Sequence, residues 1–252
     1  MAVVAVVNQK GGVGKTTTAV NLGASIATMD RSVLLVDIDP QGNSTSGLGV
    51  DKRSIEHDAY EVLLGSLPIE QAIVPTGAGR LDLLPSTIDL AGAEIELVSV
   101  LSRETRLRKA LEPLAGRYDF VFIDCPPSLG LLTLNALAAA DAVIIPVQAE
   151  YYALEGLSQL TTVIARVREA LNPSLRLHGV LVTMFDGRTK LASEVMQEVN
   201  AHFPTQVFQT QIPRNIRLSE APSFGKPALL FDPRSRGAQA YLSLAREFLG
   251  TS

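Results

Sequence analysis

The fold is decided by the stretch Lys10-Gly11-Gly12-Val13-Gly14-Lys15-Thr16, which joins an apolar run to a stretch with helical periodicity. The apolar run, residues 3–7, has the length and composition of a buried strand, and the helical pattern covers residues 15–29. A glycine-rich turn between a strand and a helix directs several backbone N–H groups to one point, where the positive end of the helix dipole also lies. The stretch therefore predicts a phosphate-binding loop.

The second half of this loop follows the common pattern, whereas the first half does not. Gly14 precedes Lys15, which is placed for the β- and γ-phosphates, and Thr16, whose hydroxyl can ligate Mg²⁺. Gln9 stands where the common pattern has its first glycine, and a second lysine, Lys10, follows it. Two lysines carry more positive charge than one triphosphate site usually needs. From the residues alone, Lys10 is either a solvated loop lysine or a group with a separate role.

The composition is that of one large globular domain covering residues 1–252. The chain is 46% hydrophobic, which suffices for a substantial core, and no second domain is required. The single cysteine, Cys125, excludes an internal disulfide. The N-terminus has neither a basic leader nor a long apolar stretch, so we expect a cytoplasmic protein.

The charge of the chain is unevenly distributed. The formal net charge is −4, but residues 1–150 hold 11 Lys and Arg against 18 Asp and Glu, and residues 151–252 hold 11 against 8. If the protein binds a polyanion, the C-terminal part is therefore the expected site. The alternative is an uneven surface charge without a binding role.

Short apolar runs alternate with helical stretches along the chain. The predicted strands are residues 3–7, 33–36, 81–84, 120–123, 142–147 and 179–183. The predicted helices are residues 15–29, 90–100, 104–114, 129–139, 154–171 and 191–202. This alternation predicts an α/β fold with a doubly wound, mostly parallel sheet flanked by helices. Residues 42–58, rich in Gly, Ser and Asp, are predicted to form a mobile surface loop.

Carboxylates follow two of the predicted strands, at the sheet edge where such folds bind ligands. Asp124 ends a hydrophobic strand, as does the carboxylate of the Mg²⁺ shell in phosphate-loop enzymes; capping a turn is the alternative. Asp39 lies in a turn that can approach a γ-phosphate, where a carboxylate can orient water and accept its proton. The alternative for Asp39 is an Asx turn before Pro40. Asp37 is closer to its strand and is predicted either to be structural or to support the residues that contact the ligand.

Three sequence motifs resemble those of the deviant Walker A ATPases, a branch of the P-loop NTPases. Residues 10–16 match the deviant Walker A motif, residues 37–43 its switch I segment and residues 123–127 its switch II segment. Residues 212–227, followed by residues 232–237, look like the chromosomal ParA/Soj partition ATPases in particular. The similarity runs essentially from end to end.

The resemblance implies ATP and Mg²⁺ as cofactors and a homodimer that forms when ATP is bound. Lys10 would reach across the dimer to the partner's nucleotide while Lys15 acts within its own chain, and Gly12 would lie where the two loops meet. The residues implied in catalysis are Lys10, Lys15 and Asp39. Those implied in ATP binding are Lys10, Gly11, Gly12, Val13, Gly14, Lys15, Thr16, Thr17, Met184, Pro213 and Asn215, and those in Mg²⁺ binding are Thr16, Asp39 and Asp124.

The resemblance also implies binding of double-stranded DNA without sequence preference by the ATP-bound dimer. Arg188 and Arg217 carry over by motif, and two protomers would double the phosphate contacts. Solvated surface arginines are the alternative. A ParB/Spo0J-type centromere-binding partner would stimulate hydrolysis, and the protein would be cytoplasmic and associated with the nucleoid, without a membrane partner.

Two other functions are possible on this scaffold. A membrane-recruited positioning ATPase of the MinD type needs a basic amphipathic C-terminal helix, but residues 236–252 contain only Arg236 and Arg246 as basic residues. Their apolar face is predicted to pack on the sheet. A metabolic or electron-transfer enzyme of the nitrogenase iron protein type is opposed by the lone Cys125, because an iron–sulfur cluster usually takes four thiolates. His57, His178 and His202 show no metal-ligand spacing.

Overall fold

The structure is a computed structural model that describes residues 1–150 and 153–250. Its sheet has seven strands in the order β3-β4-β2-β5-β1-β6-β7, and every neighbouring pair is parallel except β3 and β4. The strands are β1 (Ala2–Val6), β2 (Val33–Asp37), β3 (Val74–Pro75), β4 (Leu81–Leu84), β5 (Phe120–Asp124), β6 (Ala142–Gln148) and β7 (Arg176–Thr183). The predicted α/β fold with a mostly parallel sheet is confirmed.

Helices cover both faces of this sheet. Those of the described chain are α1 (Lys15–Ala27), α2 (Asn43–Gly47), α3 (Ala59–Leu64), α4 (Ile69–Ala72), α5 (Leu90–Glu96), α6 (Arg106–Leu111), α7 (Leu131–Ala139), α8 (Ala153–Ala170), α9 (Lys190–His202), α10 (Ile216–Glu220), α11 (Ala228–Phe231) and α12 (Arg236–Leu249). In β1, Val3 and Ala5 pack with α3 and α5 to α9, whereas Val4 and Val6 pack with α1 and α12. Burial of each of these valine side chains contributes about 1.5–3 kcal/mol to folding.

Two predicted helices are shorter than expected. The helix predicted for residues 90–100 ends at Glu96 and continues as a 3₁₀ turn, and Ser102 then adopts a left-handed conformation that a helix does not accept. The helix predicted for residues 104–114 is limited to α6, flanked by 3₁₀ turns. Pro113 lies in the second turn and has no N–H to donate to a continuing helix.

The prediction of a surface loop at residues 42–58 was wrong for its first part. This segment contains α2, in which Ser44 and Thr45 are fully buried. Their short polar side chains look like loop composition in the sequence, but they donate hydrogen bonds to the buried carboxylates Asp124 and Asp37. Burial of polar groups is favourable only when they are paired in this way.

The C-terminal helix packs against the protein itself. Tyr241, Leu244 and Ala245 of α12 are buried against α1 and the sheet, and the hydroxyls of Tyr241 and Thr18 are 3.1 Å apart. Residues 251 and 252 of the predicted C-terminal segment lie outside the described residues. Among the described residues, no helix is long and apolar enough to cross a membrane.

Candidate functional site

The phosphate loop lies between β1 and α1, as predicted. Gly12 and Gly14 have φ angles of 76° and 89°, in the left-handed region that glycine adopts at little cost. The helix that follows begins at Lys15 and has 13 residues, so its positive dipole end lies at the loop. The loop therefore has the backbone geometry of an anion site.

Two side-chain contacts connect this loop to strands that are distant in the sequence. The Asn8 side chain donates to the Pro146 carbonyl at 2.8 Å and accepts from the Lys10 N–H at 3.0 Å. The Thr183 hydroxyl donates to the Val13 carbonyl at 2.8 Å. These bonds tie the loop to β6 and β7, which makes its conformation a property of the whole sheet edge.

The two lysines of the loop have different surroundings. Lys15 is buried, and its ammonium donates to the Lys10 carbonyl at 3.1 Å. Burial lowers the Lys15 pKa, although Asp124 acts in the opposite direction. The Lys10 ammonium instead lies 3.1 Å from Glu150, and both side chains of this pair are partly exposed. Lys10 accepts from Lys15 through its backbone carbonyl, while its own ammonium is paired with Glu150 at a partly exposed position.

Asp37 and Asp124 are opposite each other on the neighbouring strands β2 and β5, and both are fully buried. Burial raises the pKa of each carboxyl above its usual value, and the charge of Asp124 adds to this effect on Asp37. Thr45 opposes the shift of Asp37, since its N–H and hydroxyl donate to one carboxylate oxygen at 2.9 and 2.8 Å. Asp37 therefore serves to hold α2, in agreement with its predicted structural role.

Asp124 has one oxygen available for a ligand. Its Oδ2 accepts from the Ser44 hydroxyl at 2.8 Å, whereas its buried Oδ1 has no hydrogen-bond partner among the described residues. Thr16 lies beside Asp124 and lowers its pKa. A buried carboxylate oxygen without a partner next to a hydroxyl fits Mg²⁺, which prefers oxygen ligands.

No group of three or more His, Cys, Asp and Glu side chains in the described part of the chain is arranged to hold a metal. Mg²⁺ would thus be bound through one or two protein oxygens together with phosphate oxygens, as is usual for this ion. Cys125 is buried, and burial raises its pKa, so its thiol remains protonated next to Asp124.

Asp39 is nearly buried and belongs to a tightly held turn. Its Oδ1 accepts from the Gln41 N–H at 2.9 Å, so the Asx turn weighed as an alternative does form. Its carbonyl accepts from the Ser86 hydroxyl and the Gly42 N–H at 2.9 and 2.8 Å. Its Oδ2 makes no hydrogen bond to a described residue. The turn leaves one carboxylate oxygen to accept a proton, and the catalytic role of Asp39 stays a prediction.

The three residues predicted to line the adenine pocket come together in the structure. Met184, Pro213 and Asn215 line one cavity of about 300 Å³, and Gly14 and Thr17 of the loop and α1 line it as well. The cavity thus lies beside the phosphate loop, as a base-binding pocket must. Contact with adenine remains a prediction.

The two arginines predicted to bind DNA are not among the residues that line this cavity, and carboxylates hold both of them. Arg188 donates to both carboxylate oxygens of Asp186, at 2.8 and 2.7 Å. Arg217 lies 2.7 Å from Glu220 and 3.2 Å from Asp232. The DNA role of both arginines is likewise still a prediction.

Several residues of the site were not predicted from the sequence. Ser86 follows β4 at the same sheet edge as the carboxylates. The rule that ligands bind at the carboxyl ends of the strands, which located Asp124, therefore applied to Ser86 also. The Asn8 side chain bonds to Pro146 in β6, 138 positions away, and the Thr183 hydroxyl bonds to Val13 in the phosphate loop, 170 positions away. No sequence signal indicates either contact.

The phosphate loop, the unpartnered carboxylate oxygen and the adjoining cavity define the class of P-loop nucleotide-hydrolysing proteins. The family model described as "AAA domain" matches residues 1–177. The chain is 57% identical to the chromosome partitioning protein ParA of Myxococcus xanthus, over 98% of this chain and 87% of that protein. It is 58% identical to the sporulation initiation inhibitor protein Soj of Bacillus subtilis, over 97% of each. The chain belongs to the ParA/Soj family of chromosome-partitioning ATPases.

A solved structure supports the same fold. The crystal structure of a Mycobacterium smegmatis protein named cobyrinic acid a,c-diamide synthase, with bound ADP and magnesium, matches with a TM-score of 0.88 at 42% identity. The match covers 99% of this chain and 94% of that one. The nucleotide and metal of that protein agree with the predicted use of ATP and Mg²⁺.

Proposed function

We propose that this chain is the ATPase of a DNA-partition system, in which ATP binding causes two chains to pair and the pair to hold double-stranded DNA. Hydrolysis, stimulated by a ParB/Spo0J-type centromere-binding partner, then releases the dimer and the DNA. The protein works in the cytoplasm on the nucleoid. Identities of 57% and 58% to ParA and Soj over nearly the whole chain support this assignment.

The placement of the two loop lysines is the observation that carries the proposal. Lys15 is buried against the loop carbonyl of Lys10, whereas the Lys10 ammonium is held by Glu150 at the surface. An exposed ion pair of this kind contributes only about 0–1 kcal/mol, so Lys10 can exchange Glu150 for phosphate at small cost. Lys15 then acts in its own site and Lys10 in the site of the second chain.

Gly12 supports the same arrangement. It is exposed, and a Cβ added there would meet no atom of the described chain within 4 Å. The outer side of the loop is therefore open, which a second copy of the loop requires for close approach. A side chain at this position would occupy the space between the two loops.

The residues at the sheet edge have complementary tasks in hydrolysis. Lys15 balances the charge of the phosphates, and Thr16 and Asp124 would hold Mg²⁺, which supplies further neutralisation of the phosphate charge when bound. Asp39 orients the attacking water and takes up its proton through the free carboxylate oxygen. Lys10 of the second chain adds positive charge where negative charge develops.

Hydrogen bonds connect α2, which begins at the last residue of the predicted switch I segment, to Asp124 of the predicted switch II segment. Ser44 in α2 donates to Asp124, and the Thr45 hydroxyl donates to Asp37 and accepts from the Ser86 N–H at 2.9 Å. A change in the bonding of Asp124 therefore reaches α2 directly. We infer that this connection couples the state of the nucleotide to the surface around the site.

The other functions receive less support. Tyr241, Leu244 and Ala245 of α12 are buried against α1 and the sheet, so these apolar side chains are not available to a membrane surface. The mycobacterial protein named as a synthase is 42% identical, compared with 57% and 58% for ParA and Soj.

Binding of fluorescent duplex DNA, measured with ATP, ADP and no nucleotide across a range of salt concentrations, tests the proposal. We expect binding only with ATP and a steep decrease with salt, because phosphate contacts dominate the affinity. Anionic lipid vesicles in a parallel series test membrane recruitment. Equal DNA binding in all three nucleotide states, or ATP-dependent binding to the vesicles alone, would refute the partition assignment.

A further inference from the structure

An open groove of about 810 Å³ lies next to the candidate nucleotide cavity. Its walls are the loop after β7, residues 211–214 and one side of α12. Arg188, Arg214 and Arg236 line it, and Asp186 is the one acidic residue among its described lining residues. The groove is therefore strongly positive in a chain whose net charge is −4.

The three arginines differ in how far their charges are already engaged. Asp186 holds Arg188 through two side-chain hydrogen bonds. Arg214 and Arg236 are exposed, and the side chain of neither forms an ion pair or hydrogen bond with a described residue, although the charge of Arg214 also lowers the pKa of Asp186. An exposed cation without a hydrogen-bonded carboxylate binds phosphate without first breaking an internal bond. Arg214 and Arg236 are thus better prepared for an anion than Arg188.

The start of α12 adds to the positive potential. Arg236 is the first residue of this 14-residue helix, and the Ser235 hydroxyl caps it by accepting from the Ala238 N–H. The positive end of the helix dipole therefore lies at the groove. Gln239 and Ser243, one and two turns further along, provide neutral hydrogen-bond donors on the same wall.

We propose that this groove holds the phosphate backbone of double-stranded DNA and that Arg214 and Arg236 make its main phosphate contacts, while Asp186 competes with DNA for Arg188. The inference rests on the proposed DNA binding and specifies its surface. Contacts to phosphates position DNA but carry no sequence information, so a groove of this composition binds DNA without sequence preference.

The groove and the nucleotide cavity share part of their walls. Pro213 and Arg214 line both of them, and Tyr241 of α12 lines the cavity while Gln239 lines the groove. Substitution of Arg214 can therefore disturb nucleotide binding as well. Arg236 lines only the groove, which makes it the cleaner position for an experiment.

The test compares Arg236→Gln and Arg214→Gln with the matched control Arg234→Gln. Arg234 is also exposed and lies two residues from Arg236, but it does not line the groove. In a DNA anisotropy assay with ATP, we expect Arg236→Gln to weaken binding about 3- to 10-fold and to reduce the salt slope by about 1 for each phosphate that it no longer binds. Arg234→Gln should bind like the parent protein. If Arg214→Gln fails to bind ATP, the test of the groove rests on Arg236→Gln alone.

A second variant, Asp186→Asn, tests the competition for Arg188. Asparagine retains an oxygen for the Arg188 backbone N–H, from which Asp186 accepts at 3.2 Å, but it removes the negative charge. We expect DNA affinity to rise about 2- to 5-fold at low salt, because Arg188 becomes available to phosphate.

Three results would overturn the inference. The first is an equal affinity and salt slope for Arg236→Gln and the control Arg234→Gln. The second is loss of the ATP-dependent dimer together with DNA binding in Arg236→Gln, which size-exclusion chromatography detects. The third is DNA binding by Asp186→Asn that is no tighter than that of the parent protein.

The DNA-binding assay distinguishes an error in the groove assignment from an error in the proposed function. If the parent protein binds DNA in no nucleotide state, the proposed function itself fails. If the parent binds DNA with ATP and Arg236→Gln binds it equally well, only the groove assignment fails.

Discussion

Lys10 and Lys15 are five positions apart in one loop, yet their ammonium groups lie in different surroundings. Lys15 is buried, and its one hydrogen bond among the described residues is to a backbone carbonyl, while the charges of Asp124 and Asp39 act on it from nearby. Phosphate would provide a charged partner in direct contact. Lys10 already has a counter-ion, Glu150, at the surface. Replacement of Lys15 and replacement of Lys10 are therefore expected to impair different steps.

We predict that Lys15→Ala abolishes ATP binding, whereas Lys10→Ala retains ATP but loses pairing and hydrolysis. Loss of the buried charge removes the principal phosphate contact, while loss of Lys10 affects only the site of the second chain. Fluorescent ATP titration and sedimentation measure the two effects. Weak ATP binding by Lys10→Ala, comparable to that of Lys15→Ala, would show that both lysines serve the same site.

Two substitutions separate the role of Asp39 in forming its turn from its predicted role as the proton acceptor in hydrolysis. Asp39→Asn retains an oxygen that can accept from the Gln41 N–H, whereas Asp39→Ala removes it. Both variants should bind ATP and dimerise but hydrolyse ATP about 10²- to 10⁴-fold more slowly, because neither can accept a proton. Turnover by Asp39→Asn at the parent rate would leave Asp39 only the role of forming the turn.

Among the elements, α2 shows most clearly how a buried polar network replaces a hydrophobic anchor. We predict that Thr45→Val destabilises the protein by about 1–3 kcal/mol, because it removes the hydroxyl that donates to the buried Asp37 and leaves the buried Ser86 N–H without its acceptor. Ser54→Ala, in the same segment but exposed, is the matched control. Urea denaturation gives both free energies of unfolding. Equal effects of the two substitutions would mean that the network does not anchor α2.

The packing of β7 against α12 has a pH dependence of its own. The ring centroids of His178 and Phe248 are 4.6 Å apart, and burial lowers the His178 pKa below the usual value, with a smaller contribution from Arg176. The unfolded chain therefore binds more protons as the pH falls below about 6.5, and the stabilising effect of the neutral ring is lost.

We thus expect the free energy of unfolding to fall between about pH 7 and 5, and less steeply in His178→Phe than in the parent. His202→Asn, at an exposed position of α9, is the control. Denaturant unfolding at several pH values measures the slopes. Identical slopes for the parent and His178→Phe would contradict the assignment to His178.

The elements were predictable where one physical constraint dominated. Strands buried on both faces appear as continuous apolar runs, so the central strands were placed within a few residues. The edge strand β3 has only two residues, one of them Pro75, and gave no comparable signal. The end of α5 depends on the conformation of Ser102, which composition does not reveal.

In the molecule as a whole, the site forms because parallel strands bring their carboxyl ends to one edge. This rule placed Asp39 and Asp124 at the sheet edge from the sequence alone, and the phosphate-loop pattern placed Lys15 there. The residues that fix their geometry were not predictable, because Asn8 and Thr183 bond to partners more than a hundred positions away. Those contacts depend on strand order and register, which a single sequence does not specify.

At this scale the central claim is that ATP acts on DNA binding through the pairing of two chains. A substitution of Gly12 is expected to block pairing without removing nucleotide binding, so it tests the role of pairing separately. Asparagine tolerates the left-handed conformation better than most residues, so Gly12→Asn fills the open side of the loop with less backbone strain than most other substitutions. We expect this variant to bind ATP, to stay monomeric and to lose DNA affinity.

The most direct measurement is sedimentation of Asp39→Ala and of the double variant Gly12→Asn/Asp39→Ala, each with ATP and fluorescent duplex DNA. We predict a DNA-bound dimer for Asp39→Ala and an ATP-bound monomer without DNA for the double variant. An ATP-bound monomer of the double variant that sediments with DNA at the affinity of Asp39→Ala would contradict the claim that pairing controls DNA binding.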